Sequence, residues 1–212
     1  AKPLSLTELF SLAGEDRADF MERFFAREQT YGTIFGSEKV KKEISRLYES
    51  ISPEEILTEH GATGGNQHIF FSLIRPGDRV IAFSPSYQQF YSAPEALGAE
   101  VTVLRLRREN GYLPDLDELS QAAARGVRMI CLNNPNNPTG TLIPSDMMKD
   151  IVTIARQSGA YLFCDEVYSG VSIDGARSPS VCDLYEKGIA TGSMSKAFSL
   201  AGLRLGWLAT HD

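Results

Sequence analysis

Ser193-Met-Ser-Lys-Ala-Phe-Ser-Leu-Ala-Gly-Leu-Arg-Leu-Gly206 holds one lysine, Lys196, and one arginine, Arg204, in a run that is otherwise small or apolar apart from its hydroxyls. Such a run is expected to be well buried, so its lysine needs a reason. Apolar neighbours lower a lysine's pKa, and a neutral amine is a nucleophile toward carbonyls. The hydroxyls of Ser193 and Ser195 and the forked cation of Arg204 suit a phosphate. The plain alternative is an ordinary lysine at the end of a buried strand, and the remainder of the chain decides between the two.

On either side of this stretch, residues 188–192 and 203–209 read as strands. Upstream the pattern alternates. Short, largely apolar strands are expected at 56–58, 79–83, 100–106, 127–132 and 161–164. Helices are expected at 66–74, before Leu97, and at 115–124 and 145–157. This order implies an α/β fold, a mostly parallel sheet with helices on both faces. Ligands of such sheets bind beyond the carboxyl ends of the strands. The polar clusters Gly61-Ala-Thr63, Tyr87, Asn137 and Asp165 fall at those ends. Residues 4–28 have helical spacing, Tyr31–Gly36 is a glycine-punctuated loop, and 37–48 is a further amphipathic helix. The expected organisation is an N-terminal helical segment, 1–30, and one large domain, 31–212.

The 212 residues suffice for one large domain, or for a domain and a fragment of another. Hydrophobic residues make up 42% and charged residues 23%, the balance of a globular chain with a core. A net charge of −6 without a basic run argues against a nucleic-acid partner. Cys131, Cys164 and Cys182 lack metal-ligand spacing, and the first two sit in apolar runs as small core residues do in a reducing compartment. No metal site is expected. No apolar run has membrane-spanning length and the N-terminus lacks a signal-peptide pattern, so a soluble, cytoplasmic protein is expected.

Two further stretches bear on chemistry. In Asn133-Asn-Pro-Asn-Asn-Pro-Thr-Gly140 the prolines fix φ and remove backbone donors, giving a stiff loop that holds an asparagine amide toward a ligand or simply makes a rigid turn. In Phe163-Cys-Asp-Glu-Val-Tyr168 an aspartate directly follows an apolar strand, where it is costly unless something positive or hydrogen-bonded meets it. A pyridinium nitrogen is one such partner; a turn cap is the alternative. A lysine that can form a Schiff base, set beside a phosphate cradle and an aspartate for a ring nitrogen, is what pyridoxal phosphate requires.

In this order and at these separations, the three stretches resemble the class I/II aminotransferases, pyridoxal-phosphate enzymes of fold type I with the aspartate aminotransferase fold. The matching motifs are Asn137-Pro-Thr-Gly140, Asp165-Glu-Val-Tyr168, and Ser193-x-Ser-Lys196 with Arg204 eight residues on. The resemblance runs from about Tyr31 onward. It implies that Lys196 forms the internal aldimine with pyridoxal 5'-phosphate and later carries the Cα proton. By the same resemblance Asp165 pairs with the pyridinium nitrogen, and Asn137 and Tyr168 bond the phenolate oxygen. Ser193, Ser195 and Arg204 hold the phosphate, together with Ala62 and Thr63 after Gly61. Tyr87 stacks on the ring, and Tyr31 reaches the phosphate of the neighbouring subunit, which implies a homodimer. The implied activity is transfer of an amino group between an amino acid and a 2-oxo acid. In the family a C-terminal small domain follows and carries the arginine for the substrate carboxylate. That part is expected to lie outside residues 1–212, leaving an incomplete large domain.

The same residues would serve a β-lyase, synthase or cyclase on this scaffold. A nicotinamide oxidoreductase is a rival from another class, because Gly61-Ala-Thr-Gly-Gly65 resembles a dinucleotide turn. The third glycine of that pattern would fall at Gln67, and the lysine and aspartate would go unexplained. An inactive fragment is the remaining alternative.

Overall fold

Alternation along the central strands sets the architecture. In β2 (Arg79–Ser84), Ile81 and Phe83 enter one hydrophobic cluster while Val80 and Ala82 enter another. In β4 (Met129–Asn133), Ile130 and Leu132 oppose Met129 and Cys131 in the same way. β5 (Tyr161–Asp165) sends Leu162 and Cys164 to the first cluster and Phe163 to the second. Strands that are apolar on both sides must be covered on both sides. The computed structural model, which describes residues 2–171, 175 and 177–211, has that cover.

The first face carries α3 (Glu38–Ser45), α6 (Leu116–Ala123), α7 (Ser145–Ser158) and α8 (Val181–Leu184), contributing Ile44, Leu119, Met148, Ile151 and Val181. The second carries α4 (Gly61–Leu73) and α5 (Gln89–Ala96). There Phe163 meets Phe70 and Phe90 edge-on, each at 5.6 Å between ring centroids. The helices α1 (Leu6–Ala13) and α2 (Arg17–Phe25) precede this body and bury no residue of their own.

The remaining strands are β1 (Ile56–His60), β3 (Glu100–Arg105), β6 (Gly188–Ser193) and β7 (Leu205–Thr210). They complete a seven-stranded sheet of order β1-β7-β6-β5-β4-β2-β3. Only β7 runs against its neighbours. The carboxyl ends of all other strands and the amino end of β7 therefore share one edge. Ser193 at the end of β6 lies opposite Gly206 at the start of β7. The eleven-residue excursion between β6 and β7, residues 194–204, of which Lys196 and Arg204 are part, thus begins and ends on that edge.

Three elements differ from the sequence expectation. The helical stretch 4–28 is two helices, because Gly14 takes a left-handed φ of 65° and Asp16 then caps α2 by accepting from Asp19 N. α4 starts at Gly61, five residues before the expected 66. Its glycines serve close packing instead of a loop: a Cβ at Gly65 would lie 3.2 Å from Thr191 Cγ2. α8, four residues long, is too short to show a period, and Ser180 caps it.

Glu166 closes that region. Its Oε1 accepts from Ser180 Oγ at 3.0 Å and from Val181 N at 3.1 Å. Burial pushes its carboxyl from the ordinary 4.5 up to about 8, against the pull of these two bonds. A carboxyl that holds its proton more tightly when folded favours the fold while protonated. That contribution is complete below the unfolded value and is lost as pH rises through about 8. Glu166→Gln should therefore flatten the fall of Tm between about pH 5 and pH 9; a fall as steep as in the parent would refute this role.

Candidate active site

The open edge of the sheet carries a cavity of about 270 Å³. It is lined by Ala62, Thr63, Tyr87, Asn137, Asp165, Tyr168, Ser193, Ser195, Lys196 and Arg204. Every residue singled out from sequence is thus at this cavity except Gly61 and Tyr31. Asn133, Val167 and Ala201 complete the lining and were not anticipated.

Asp165, at the end of β5, is buried. Its Oδ1 accepts from Val167 N and its Oδ2 from Asn66 Nδ2, both at 3.0 Å. Burial raises the carboxyl's pKa, and those two hydrogen bonds pull it back. Among the described residues the donors to its oxygens are these two neutral ones, and a cation is what would make such burial favourable.

The anion end is built differently. Ala62 and Thr63 stand in the first turn of α4, which has no acidic residue and no side-chain cap. Arg204, with a left-handed φ of 52°, donates from Nη1 to Ala201 O at 3.2 Å. Its Nη2 would be 2.5 Å from a Cβ on Gly61. Gly61 is therefore not a wall of the cavity but the residue whose missing side chain admits the guanidinium to the helix start. A cation against the positive pole of a helix is unfavourable alone; both favour an anion between them. Ser193 and Ser195 add hydroxyls, with Ser193 Oγ accepting from Ser195 N at 3.3 Å. This donor set fits a phosphate, and Asp165 fits a protonated ring nitrogen.

Lys196 departs from expectation in one respect. The stretch is buried at Ser193 but exposed from Lys196 to Phe198, because the chain leaves β6 and turns outward at the open edge. Its Nζ lies 5.8 Å from the centroid of the Tyr168 ring. The Asn-Pro loop is held by asparagines as well as prolines. Asn133 donates to Asp165 O at 2.9 Å and accepts from Asn137 N at 2.7 Å. Asn134 accepts from Ile143 N, and Asn136 donates to Pro85 O and Thr139 Oγ1. Tyr87 sits edge-on to Phe90, with centroids 5.8 Å apart. Tyr31 is fully exposed and does not reach the cavity of its own chain. His68 and His211 are engaged elsewhere, each 2.6 Å from a carboxylate of Glu59 or Glu55. No helix among the described residues is long and apolar enough to cross a membrane.

The architecture is shared with solved structures. Thermus thermophilus aspartate aminotransferase superposes with a TM-score of 0.80 over 85% of this chain and 51% of that one, at 24% identity. A PLP-dependent aminotransferase from Streptococcus suis does so with a TM-score of 0.94 at 45% identity, covering 98% of this chain and 55% of that one. In sequence, the LL-diaminopimelate aminotransferase of Syntrophobacter fumaroxidans is 33% identical over 72% of this chain and 40% of its own length. The aspartate aminotransferase of Pyrococcus horikoshii is 33% identical over 74% and 41%. Residues 21–212 match the family described as aminotransferase class I and II, and the chain belongs to that family. It spans less than half the length of these two curated relatives.

Proposed function

We propose that this chain is the cofactor-holding part of a pyridoxal-phosphate-dependent aminotransferase that moves an amino group between an amino acid and a 2-oxo acid. The observation that carries this is Asp165: a buried carboxylate, held by two neutral donors, facing a cavity that also holds a lysine and an anion cradle. Bound there, the cofactor supplies an electron-withdrawing ring that stabilises negative charge at the substrate Cα.

The chain's own residues do the rest. Lys196 would hold the cofactor covalently, and its Nζ, when free, would take and return the Cα proton. Asp165 keeps the ring nitrogen protonated. Asn137 and Tyr168 orient the ring through its phenolate oxygen, and Tyr87 covers one ring face. Ser193, Ser195, Arg204 and the first amides of α4 fix the phosphate. Tyr31, exposed with Ile34 and Phe35, reaches the site of a second copy in a homodimer. Residues 31–212 act as the large domain and 1–30 as a helical segment preceding it. The free, buried cysteines suit a cytoplasmic setting.

The test is addition of pyridoxal phosphate, borohydride reduction and peptide mapping, followed by screening of amino-acid and 2-oxo-acid pairs. Label on Lys196 with exchange of amino groups is expected. Ammonia and pyruvate released from a β-substituted amino acid without an acceptor would instead mark a lyase, and absence of label would overturn the cofactor assignment.

A further inference from the structure

Asn66 is fully buried in α4 and hydrogen-bonded to side chains of α5, β5 and β6. One N–H of its amide meets Asp165 Oδ2 at 3.0 Å, and the other meets Gln89 Oε1 at 3.1 Å. Its Oδ1 accepts from Thr191 Oγ1 at 2.7 Å. Gln89 in turn donates from Nε2 to Thr63 O at 3.1 Å.

The direction of each bond follows from what each atom can do. The Thr63 carbonyl only accepts, so Gln89 turns its NH₂ to it and its oxygen to Asn66. An ionised Asp165 also only accepts. Asn66 must then present its NH₂ to both, leaving its oxygen for the Thr191 hydroxyl. All three polar positions of this buried amide are filled in one orientation. The relay joins the first turn of α4, at the anion end of the cavity, to the carboxylate at the other end.

We infer that Asn66, oriented by Thr191 and Gln89, is a positioning residue that aims the Asp165 carboxylate at the cofactor's ring nitrogen and favours its ionised form. This rests on the pyridoxal-phosphate reading of the site. Charge-assisted bonds to a carboxylate are stronger than neutral ones, and with one bond accepted by each oxygen Asp165 keeps lone pairs for the ring N–H. An aspartate without this donor would rotate or keep its own proton.

The test compares two cofactors in the protein's full natural chain: pyridoxal phosphate, and its 1-deaza analogue with C–H in place of the ring nitrogen. Asn66→Ala is expected to weaken pyridoxal phosphate by about tenfold or more, the loss of one hydrogen bond to a charged group. The analogue, which gives Asp165 nothing to bond, should lose no more than about twofold, a factor that leaves out that hydrogen bond. The ¹⁵N shift of ring-labelled pyridoxal phosphate should move toward the unprotonated value in the variant. Thr191→Val, which removes only a hydroxyl at near-constant volume, should change both readouts in the same direction by less, and it serves if Asn66→Ala does not fold. Equal weakening of both cofactors with an unchanged ¹⁵N shift would mean a structural role and overturn this inference alone. Failure of the parent protein to bind pyridoxal phosphate would overturn the site reading, and this inference with it.

Discussion

Lys196→Ala protein should take up no borohydride-fixed label from pyridoxal phosphate at this segment, and amino-group transfer should fall at least about a thousandfold. The magnitude follows from what a positioned proton-transfer group contributes, about 10²–10⁴-fold, before the loss of covalent attachment is counted. The fold should survive. Lys196 is exposed, and its Nζ stands 5.8 Å from the Tyr168 ring centroid with no part in the core. Substitutions of that kind stay within about ±0.5 kcal/mol, so Tm should hardly move. A variant with unchanged Tm that still transfers amino groups at the parent rate would remove Lys196 from the reaction.

The elements that were legible in the sequence are those with a strong local signature. β2, β4 and β5 are apolar runs ended by Ser84, Asn133 and Asp165, and each ends within about a residue of its expected position. That the site residues line one cavity was legible because their motifs lie at strand ends, and strand ends in a parallel sheet share an edge. What depends on distant contacts was not. The pairing of β1 with β7 joins residues about 150 apart, and nothing local marks β7 as the reversed strand. That reversal is what brings Arg204 back to the edge that Ser193 leaves. Gly61 and Gly65 read as loop glycines by propensity, yet both lie in α4, where they admit Arg204 and Thr191. Asn66 left a signal that went unused. It stands three and four residues before Ile69 and Phe70, on the buried face of the same helix, and a polar residue there needs partners. The apolar character of the stretch around Lys196 was misleading about burial. Composition says that a segment can be covered, while its place beyond the end of β6 decides how much of it is.

The second large effect concerns charge. Asp165→Asn should leave the borohydride-fixed label on Lys196 intact while lowering amino-group transfer by about a hundredfold or more. Shape and volume are conserved, so the loss reports the carboxylate's charge. At ~3 Å and an effective dielectric of ~20, a carboxylate and a protonated ring nitrogen attract by roughly 5 kcal/mol before desolvation. Retaining about half of that in the transition state corresponds to about the hundredfold stated. The buried surroundings sharpen the contrast. Asp165 now accepts from two N–H donors, Val167 N and Asn66 Nδ2. An asparagine offers one oxygen and one NH₂, so one of those donors would face another donor. The backbone N–H of Val167 cannot turn away, which leaves the new NH₂ pointing at Asn66. Asn66 can relieve that clash by turning its oxygen toward residue 165, provided the Thr191 hydroxyl rotates to accept instead of donate. The Gln89 oxygen then loses its donor. Asp165→Asn should therefore cost stability as well, and Asp165→Asn with Gln89→Leu should recover part of the lost Tm without recovering transfer. Recovery of transfer along with Tm would show that packing around Asp165, and not its charge, sets the rate.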